Sequence, residues 1–144
     1  MRLKLAALAG LLMVSSPTTG FAQEYKMATV FSGNELRLYV MNLVNKDCTS
    51  GARPDVHVVL QPANGTVRAE PVLYTVDRPA SDPNSRCNGR KVNGLAVFYT
   101  SNAGYVGIEK VVLETDFHTG NIRRYEALID VRGGSSAPIK TAGE

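Results

Sequence analysis

The amino-acid sequence predicts an all-β fold, a single antiparallel β-sandwich of about seven strands. Short runs of alternating apolar and polar residues recur roughly every 10–15 residues, a spacing typical of sandwiches. Clusters of Gly, Asn, Pro and Ser separate these runs and favour turns. Beyond residue 22, no segment has the sustained apolar period of a helix, about 3.6 residues. The length of 144 residues fits one such domain.

The strands are predicted in order along the chain. The first, 27–31, is β-prone and stops at Ser32-Gly33-Asn34. The second, 36–42, alternates with a period of two, and 95–100 is a continuous apolar strand. The other predicted strands are 55–60, 65–67, 71–76, 110–117 and 123–131. Between two of them, Asn64-Gly65 predicts a tight hairpin turn with positive φ.

Alternation also predicts which side chains face the core, because successive side chains of a strand point to opposite faces. Four inward rows follow from this rule: Leu36, Leu38 and Val40; Val56, Val58 and Leu60; Val111, Leu113, Thr115 and Phe117; and Tyr125, Ala127, Ile129 and Val131.

Residues 1–22 are predicted to be a cleaved signal peptide. Arg2 and Lys4 form a positive start, an apolar run of about ten residues follows, and Gly20-Phe21-Ala22 suits a signal peptidase. The run is shorter than the roughly 20 apolar residues that cross a bilayer, so we expect no stable membrane anchor after cleavage. The mature domain would then span 23–132, with a flexible tail over 133–144, in the periplasm or secreted.

Removal of this segment changes the charge balance. The whole chain has 16 basic and 13 acidic residues, and the signal contributes two of the basic ones and no acidic ones. The mature chain therefore has 14 basic and 13 acidic residues, a net charge of +1. A nucleic-acid partner is not expected, since such binders usually carry a strong basic stripe.

The chain has two cysteines, Cys48 and Cys87, which permit one intramolecular disulfide. Export to an oxidising compartment favours the bond. Both cysteines lie in polar, turn-rich surroundings, so the bridge is predicted to join two loops rather than two core strands. Zinc binding or a catalytic thiol is the rival interpretation. Zinc needs four ligands, and the histidines, His57 and His118, lie in isolated contexts.

The second half of the chain resembles the immunoglobulin-like and cadherin-like modules of bacterial surface proteins. The matching segments are Pro62-Ala63-Asn64-Gly65-Thr66-Val67, Val97-Phe98-Tyr99-Thr100, Ala103-Gly104-Tyr105-Val106-Gly107-Ile108-Glu109, and the strand from Tyr125 to Val131. The resemblance covers roughly 60–131 and implies a single immunoglobulin-like sandwich. A fold shared with adhesins does not by itself imply adhesion.

This chain departs from those modules at two places. Glu109 stands where they usually carry Asp, and the segment around Cys87 is an insertion relative to their short connection. Independently of the resemblance, Gly104 and Gly107 flank Tyr105 and would let the chain bend sharply. Tyr105 is expected to cap one end of the sandwich, with its hydroxyl reaching the backbone.

The sequence offers no legible catalytic or cofactor-binding motif. It has no Gly-x-Ser-x-Gly motif and no glycine-rich phosphate loop between a strand and a helix. Glu114, Asp116 and His118 alternate on one strand face, which suits either metal ligands or an ordinary solvated face. The solvated face is the preferred interpretation, because the neighbouring row already fills the core. We therefore predict no enzyme, no cofactor and no metal.

The predicted loop 77–93 is the candidate binding segment. Its basic residues are Arg78, Arg86, Arg90 and Lys91, against two acidic ones, Asp77 and Asp82. Loops on a rigid scaffold commonly carry binding, and a bridge to Cys48 would pre-organise this one.

The sequence thus predicts an exported, non-catalytic binding or structural module of the cell envelope. Its partner would be an envelope protein or an anionic polysaccharide. The alternatives are a small periplasmic inhibitor that plugs an enzyme's cleft with this loop, and an accessory subunit that pairs a sheet edge with a partner strand.

Overall fold

The structure is a computed structural model that describes residues 23–134. These residues form seven strands and one short 3₁₀ helix, Ser85–Cys87. The strands are β1 (Gln23–Phe31), β2 (Glu35–Asn42), β3 (Asp55–Leu60), β4 (Gly65–Thr75), β5 (Lys91–Ser101), β6 (Gly107–Asp116) and β7 (Ile122–Arg132). The predicted signal peptide and the predicted tail beyond residue 134 lie outside the described residues.

The strands form two facing sheets, so the predicted all-β sandwich of about seven strands is confirmed. One sheet has the order β1-β7-β6-β3 and the other β2-β5-β4. All strand pairs are antiparallel except β1 and β7, which run parallel from Gln23↔Arg124 to Phe31↔Arg132. Alternation along a strand does not specify its partner, and so it could not predict this parallel pair.

The core lies between the two sheets and is built largely from two of the predicted inward rows. The predicted inward residues of β6 and β7 are all buried, including Phe117 just beyond the end of β6. Across the core, the Thr115 hydroxyl donates to Met41 Sδ at 2.9 Å, so a polar group buried between the sheets has an acceptor. The predicted faces of these two strands are therefore confirmed.

Two β-bulges make the other two predicted rows partly wrong. In β2 the register shifts between Arg37 and Tyr39, so Tyr39 and Met41 are buried where Val40 was expected to be. In β3 the shift falls between Val58 and Leu60, and Leu60 is 43% exposed. A bulge adds one residue to one strand, which reverses the faces of all residues beyond it.

The region between the third and fifth strands also differs from the prediction. The segments 65–67 and 71–76 form one strand, β4, which continues through Pro71. Proline is tolerated there because β4 is an edge strand of its sheet and needs no hydrogen bond on its outer side. β5 begins at Lys91 instead of 95, so the predicted loop 77–93 is shortened to the segment 76–90.

One end of the sandwich, which we call the closed end, is sealed by Glu109 and Tyr105. The Glu109 carboxylate is buried and accepts hydrogen bonds from Ala63 N (3.0 Å), Asn64 N (2.9 Å) and Asn64 Nδ2 (2.8 Å). It thereby fixes the crossing from β3 to β4. Tyr105 packs against the core and donates to the Ile108 carbonyl at 3.2 Å, as expected for an end cap.

The predicted Asn64-Gly65 hairpin turn is wrong. β3 and β4 belong to different sheets, and Gly65 is absent from the residues with positive φ among those described. A Cβ on Gly65 would lie 2.4 Å from the Tyr99 ring and 2.6 Å from the Thr100 carbonyl oxygen. Glycine is therefore required at this position by a close approach of the chain to β5.

None of the elements within residues 23–134 is a helix of the length and apolar character needed to cross a membrane.

Candidate functional site

The opposite end of the sandwich, the bridge end, carries the predicted disulfide. Cys48, in the turn after β2, is bonded to Cys87 at the end of the 3₁₀ helix, with 5.3 Å between their Cα atoms. The bridge joins two loops, as predicted. It lies in a small apolar cluster of its own with Val44, Val76 and Val92. A disulfide is typical of an oxidising, extracellular compartment.

Hydrogen bonds hold the segment 76–90 in one conformation. Asn88 binds the backbone of Arg78 twice, accepting from its N–H at 2.8 Å and donating to its carbonyl at 2.9 Å. Val76 donates to the Arg90 carbonyl and accepts from Gly89 N. These bonds join the two ends of the segment to each other. The bridge to Cys48 and the Arg78–Asn42 hydrogen bond attach it beside the end of β2, so it forms a wall there.

A cleft of about 280 Å³ opens between this wall and the strand ends, and we call it the bridge-end cleft. It draws residues from both sheets and from the turn between β6 and β7. Its charged residues are Glu24, Arg78, Asp82 and Arg123, and its aromatic residues are Tyr39, Phe117 and Tyr125. The volume is near the low end for small-molecule sites, about 300–1,000 Å³, and therefore suits a small ligand or one group of a larger one.

Arg78 is the residue of the predicted binding loop that the structure brings into this cleft. Its side chain is half-buried, and Nη2 donates to Asn42 Oδ1 at 3.0 Å. Its Nε is buried and has no acceptor among the described residues. A buried donor without a partner costs about 1–3 kcal/mol, more for a charged group. Arg78 would therefore gain from an acceptor that binds in the cleft and lets its guanidinium reorient.

Arg123 provides a second guanidinium in the cleft. It is exposed and lies over the Phe117 ring, 5.4 Å from the centroid. Both Arg123 and Tyr125 line the cleft from β7. Stacking on the aromatic ring limits the conformations of the arginine side chain, while its remaining N–H groups stay available to a ligand.

The tyrosines of the cleft lie in the field of several charges. Burial, and then the nearby Glu24 carboxylate, raises the pKa of Tyr125, while Arg123 and Arg78 act in the opposite direction. Burial is also the main reason why the pKa of Tyr39 is raised to about 12, with Glu24 contributing next. Glu24, Arg78 and Arg123 line the same cleft as Tyr125, although β1, the 76–90 segment and β7 supply them separately.

The other predicted binding residues lie outside the cleft. The Arg86 side chain donates to the Lys46 carbonyl at 2.6 Å and ties the two bridged loops together. Arg90 and Lys91 are exposed, and Lys91 is the first residue of β5, paired with Thr75, rather than part of a loop. The predicted basic loop is thus divided into one residue within the cleft and three around the outside of the segment.

The alternating residues Glu114, Asp116 and His118 are engaged in local contacts. Glu114 accepts from Arg124 at 3.2 Å, and Asp116 accepts from His118 N at 2.7 Å. The His118 Nε2 lies 3.3 Å from Asp55 Oδ2. Among residues 23–134, no group of three His, Cys, Asp or Glu side chains is placed to hold a metal ion.

Comparison with known proteins places the chain in no established group: no protein-family model matches it, and no curated protein is similar to it in sequence. The resemblance to immunoglobulin-like and cadherin-like modules therefore stays a prediction. What is known of the cleft rests on its own geometry.

Sequence reasoning missed most of the residues that build the cleft with Arg78. Glu24, Asn42, Arg123 and Tyr125 are spread over a hundred positions and belong to three different strands. Tyr125 was predicted as a core residue, and it is indeed buried. The clustering depends on which strands end at the bridge end, and the parallel β1–β7 pair brings Glu24 beside Tyr125.

Proposed function

We propose that this protein is an exported, non-catalytic binding module of the bacterial cell envelope and that its ligand binds in the bridge-end cleft. The observation that carries the proposal is Arg78, a half-buried arginine that lines an open cleft and whose buried Nε has no acceptor among the described residues. This residue belongs to a segment that the disulfide holds in place. The site is therefore pre-organised, and binding loses little conformational entropy.

Other features support the proposed setting. The positively charged start and apolar run of 1–22 have the pattern of a secretory signal, which suits export to the periplasm. The division of the strands, β2-β5-β4 opposite β3-β6-β7, corresponds to the ABED and CFG sheets of an immunoglobulin-like domain with its first strand moved to the second sheet. That correspondence favours the immunoglobulin-like assignment, and such modules commonly bind through one end of the sandwich.

The proposal is tested by retention on envelope fractions. Protein without residues 1–22 is passed over immobilised peptidoglycan, anionic envelope polysaccharide and envelope protein extract in parallel. We expect retention on one fraction, reduced about tenfold or more in affinity by Arg78→Gln combined with Arg123→Gln. Arg37→Gln, an exposed arginine of β2 outside the cleft, is the matched control. Retention that the double variant leaves unchanged would contradict the site, and no retention on any fraction would contradict the function.

A second candidate function is inhibition of an envelope enzyme by the segment 76–90. The observation that favours it is the fixing of this segment by the disulfide, by the Asn88–Arg78 bonds and by the Arg86–Lys46 bond, while Pro79, Ala80 and Ser81 stay exposed. A rigid, exposed segment can occupy an active site at low entropic cost. One stoichiometric enzyme partner recovered from the extract, with loss of its activity, would favour the inhibitor over the binding module.

A further inference from the structure

We infer that the bridge-end cleft recognises an α-amino carboxylate, a group with a carboxylate and an ammonium on one carbon. The inference rests on the proposed function and names the chemistry of its ligand. It follows from the charged residues that line the cleft with Tyr125: two guanidiniums, from Arg78 and Arg123, and one carboxylate, from Glu24, which is paired with Tyr125 in the β1–β7 ladder.

The two arginines supply the carboxylate subsite. Arg78 has an Nε without an acceptor, and Arg123 is exposed with one face on Phe117. A carboxylate accepts bidentate hydrogen bonds from a guanidinium, and such charge-assisted bonds are about twice as strong as neutral ones. A ligand carboxylate between these two residues would let the Arg78 guanidinium reorient and would give it the acceptor that residues 23–134 do not provide.

Glu24 supplies the subsite for the ammonium. The residue is exposed at the start of β1, lines the cleft and is paired with Tyr125 across the β1–β7 ladder. The other acidic group of the cleft, Asp82, is partly engaged, because its Oδ1 accepts from Asn84 N at 2.7 Å. Glu24 is therefore the carboxylate of the cleft that the described residues leave free for a ligand.

The balance of charge argues against a dense polyanion in this cleft. Two cationic and two anionic side chains give the cleft no net charge, and Glu24 would repel a second negative group of the ligand. A zwitterion meets favourable charges at both ends. The size of a zwitterionic amino acid also agrees with the cleft, because about 280 Å³ has room for one amino-acid unit.

Two sources could present this group. One is a free amino acid. The other is an envelope peptide that contains a diamino acid residue, the side chain of which ends in an amino carboxylate. The chemistry at the cleft is the same for both. Titrating free amino acids in parallel with a peptide that carries such a side chain distinguishes the two sources. The peptide binds with the higher affinity only if the envelope peptide is the source.

The experiment is calorimetric titration of the purified protein with three sets of probes. They are free L- and D-amino acids, the N-acetyl derivatives of these amino acids, and their methyl esters. We expect binding of at least one amino acid, weakened about tenfold or more by either modification. Glu24→Gln should weaken binding of the amino acid but leave binding of the N-acetyl derivative unchanged, because that derivative has no ammonium. Arg123→Gln should weaken both, and Arg37→Gln should weaken neither.

The inference is overturned if neither the amino acids nor the peptide bind, if the esters bind as well as the acids, or if Glu24→Gln leaves amino-acid affinity unchanged. Glu24→Gln and Arg123→Gln each change an exposed side chain, and an unchanged melting temperature establishes that these two variants fold. Retention on an envelope fraction without amino-acid binding would reject the inference while leaving the proposed function in place. Amino-acid binding without any retention would reject the envelope role and support the ligand class.

Discussion

At each end of the sandwich the chain crosses between the sheets, and at each end it has polar groups to satisfy. At the closed end one buried carboxylate, Glu109, accepts three hydrogen bonds from the β3–β4 crossing, and Tyr105 covers the core beside it. At the bridge end the covalent bond between Cys48 and Cys87 holds the crossing, and the polar groups are only partly matched: the buried Nε of Arg78 has no acceptor in the described part of the chain.

The difference supports the proposal that the bridge end binds a ligand. Natural proteins satisfy nearly all buried polar groups, and exceptions concentrate at functional sites, where stability is lost in favour of binding. The closed end follows the rule and leaves little space around Gly65 and Tyr105. The bridge end departs from the rule and leaves a cleft. Stability at the closed end therefore depends on packing and hydrogen bonds, and at the bridge end on a covalent bond.

The largest effect is expected when the bridge is removed. The Cys48→Ser/Cys87→Ser variant should lose about 3–4 kcal/mol of unfolding free energy, the entropic contribution of closing a loop of this length. Domain stabilities are about 5–15 kcal/mol, so the sandwich should survive. Hydrogen exchange should accelerate across 76–90 and remain slow in β6 and β7. Denaturant titration with exchange mass spectrometry measures both quantities.

The wild-type protein provides the control for that variant. Thiol titration of the denatured, unreduced protein should find no free cysteine, and chemical reduction should reproduce the variant's stability. Two free thiols, or dimers linked through sulfur, would reject the bridge. Complete unfolding of the variant at 25 °C would show that the core between the sheets is too small to hold the closed end without help.

At the closed end, Glu109→Ala should cost about 2–3 kcal/mol. Hydrogen bonds to a charged group contribute about 1.5–3 kcal/mol each, and water at the exposed Ala63 would replace part of the loss. Glu109→Gln keeps the shape but turns one acceptor into a donor, so it should cost about half as much. Exchange should accelerate at 61–64 and not at 76–90. Denaturant melts and residue-level exchange provide the measurements.

Glu70→Ala is the matched control for these variants. Glu70 is an exposed glutamate paired with Arg68 on the outer face of β4, and exposed ion pairs contribute about 0–1 kcal/mol. If Glu109→Ala cost no more than Glu70→Ala, the carboxylate would not be what seals the closed end. The stability of the closed end would then depend on packing alone.

An effect that appears only at high pH should be found at both ends. Burial, aided by Glu24, raises the pKa of Tyr39 at the bridge end to about 12, and burial, aided by Glu109, raises that of Tyr99 at the closed end to about 12. The folded state thus holds both protons more tightly than the unfolded chain, whose tyrosines titrate near 10. This stabilisation is fully present below pH 10 and is lost as the pH rises from 10 to 12.

The slope of stability against pH separates the two tyrosines. Each should lower the unfolding free energy by about 1.4 kcal/mol per pH unit within that window. Tyr39→Phe and Tyr99→Phe should each remove one such share of the slope, while any lost hydrogen bond only shifts stability equally at all pH values. Urea melts from pH 8 to 11.5 measure this. An unchanged slope in either variant would show that the hydroxyl is not shielded from water at that end.

The two ends also differ in how far the sequence predicts them. The bridge followed from the presence of two cysteines, and the cap at Tyr105 followed from its flanking glycines. The rows of β6 and β7 followed from alternation. The bulge in β2 could not be predicted, because the residues around it, 38–41, are all apolar and hide the point at which the faces reverse.

The cleft and the buried carboxylate lay beyond the sequence for the same physical reason. Glu109 is the one charged residue in the inward row of β6, and its partners lie 45 and 46 positions away on the β3–β4 crossing. Arg78 and Arg123 come together only because β4 ends, and β7 begins, at the same end of the sandwich. Contacts of this kind depend on the order of strands in the sheets, which local patterns do not encode.

The smallest effect on stability is expected from the exposed basic residues around the 76–90 segment. Replacing Arg86, Arg90 and Lys91 together with Ser should leave the melting temperature nearly unchanged, because surface substitutions usually alter stability by less than about 0.5 kcal/mol each. The Arg86–Lys46 bond is exposed and the disulfide already joins those loops, so its loss should be tolerated.

The effect of the same triple variant on ligand affinity gives a sharper measurement than its effect on stability. If the ligand contacts the outside of the segment, the triple variant should bind it more weakly than Arg123→Gln does. If the ligand occupies the bridge-end cleft, Arg123→Gln should weaken binding and the triple variant should bind as the wild type does, which would reject the basic loop as the binding surface while retaining Arg78.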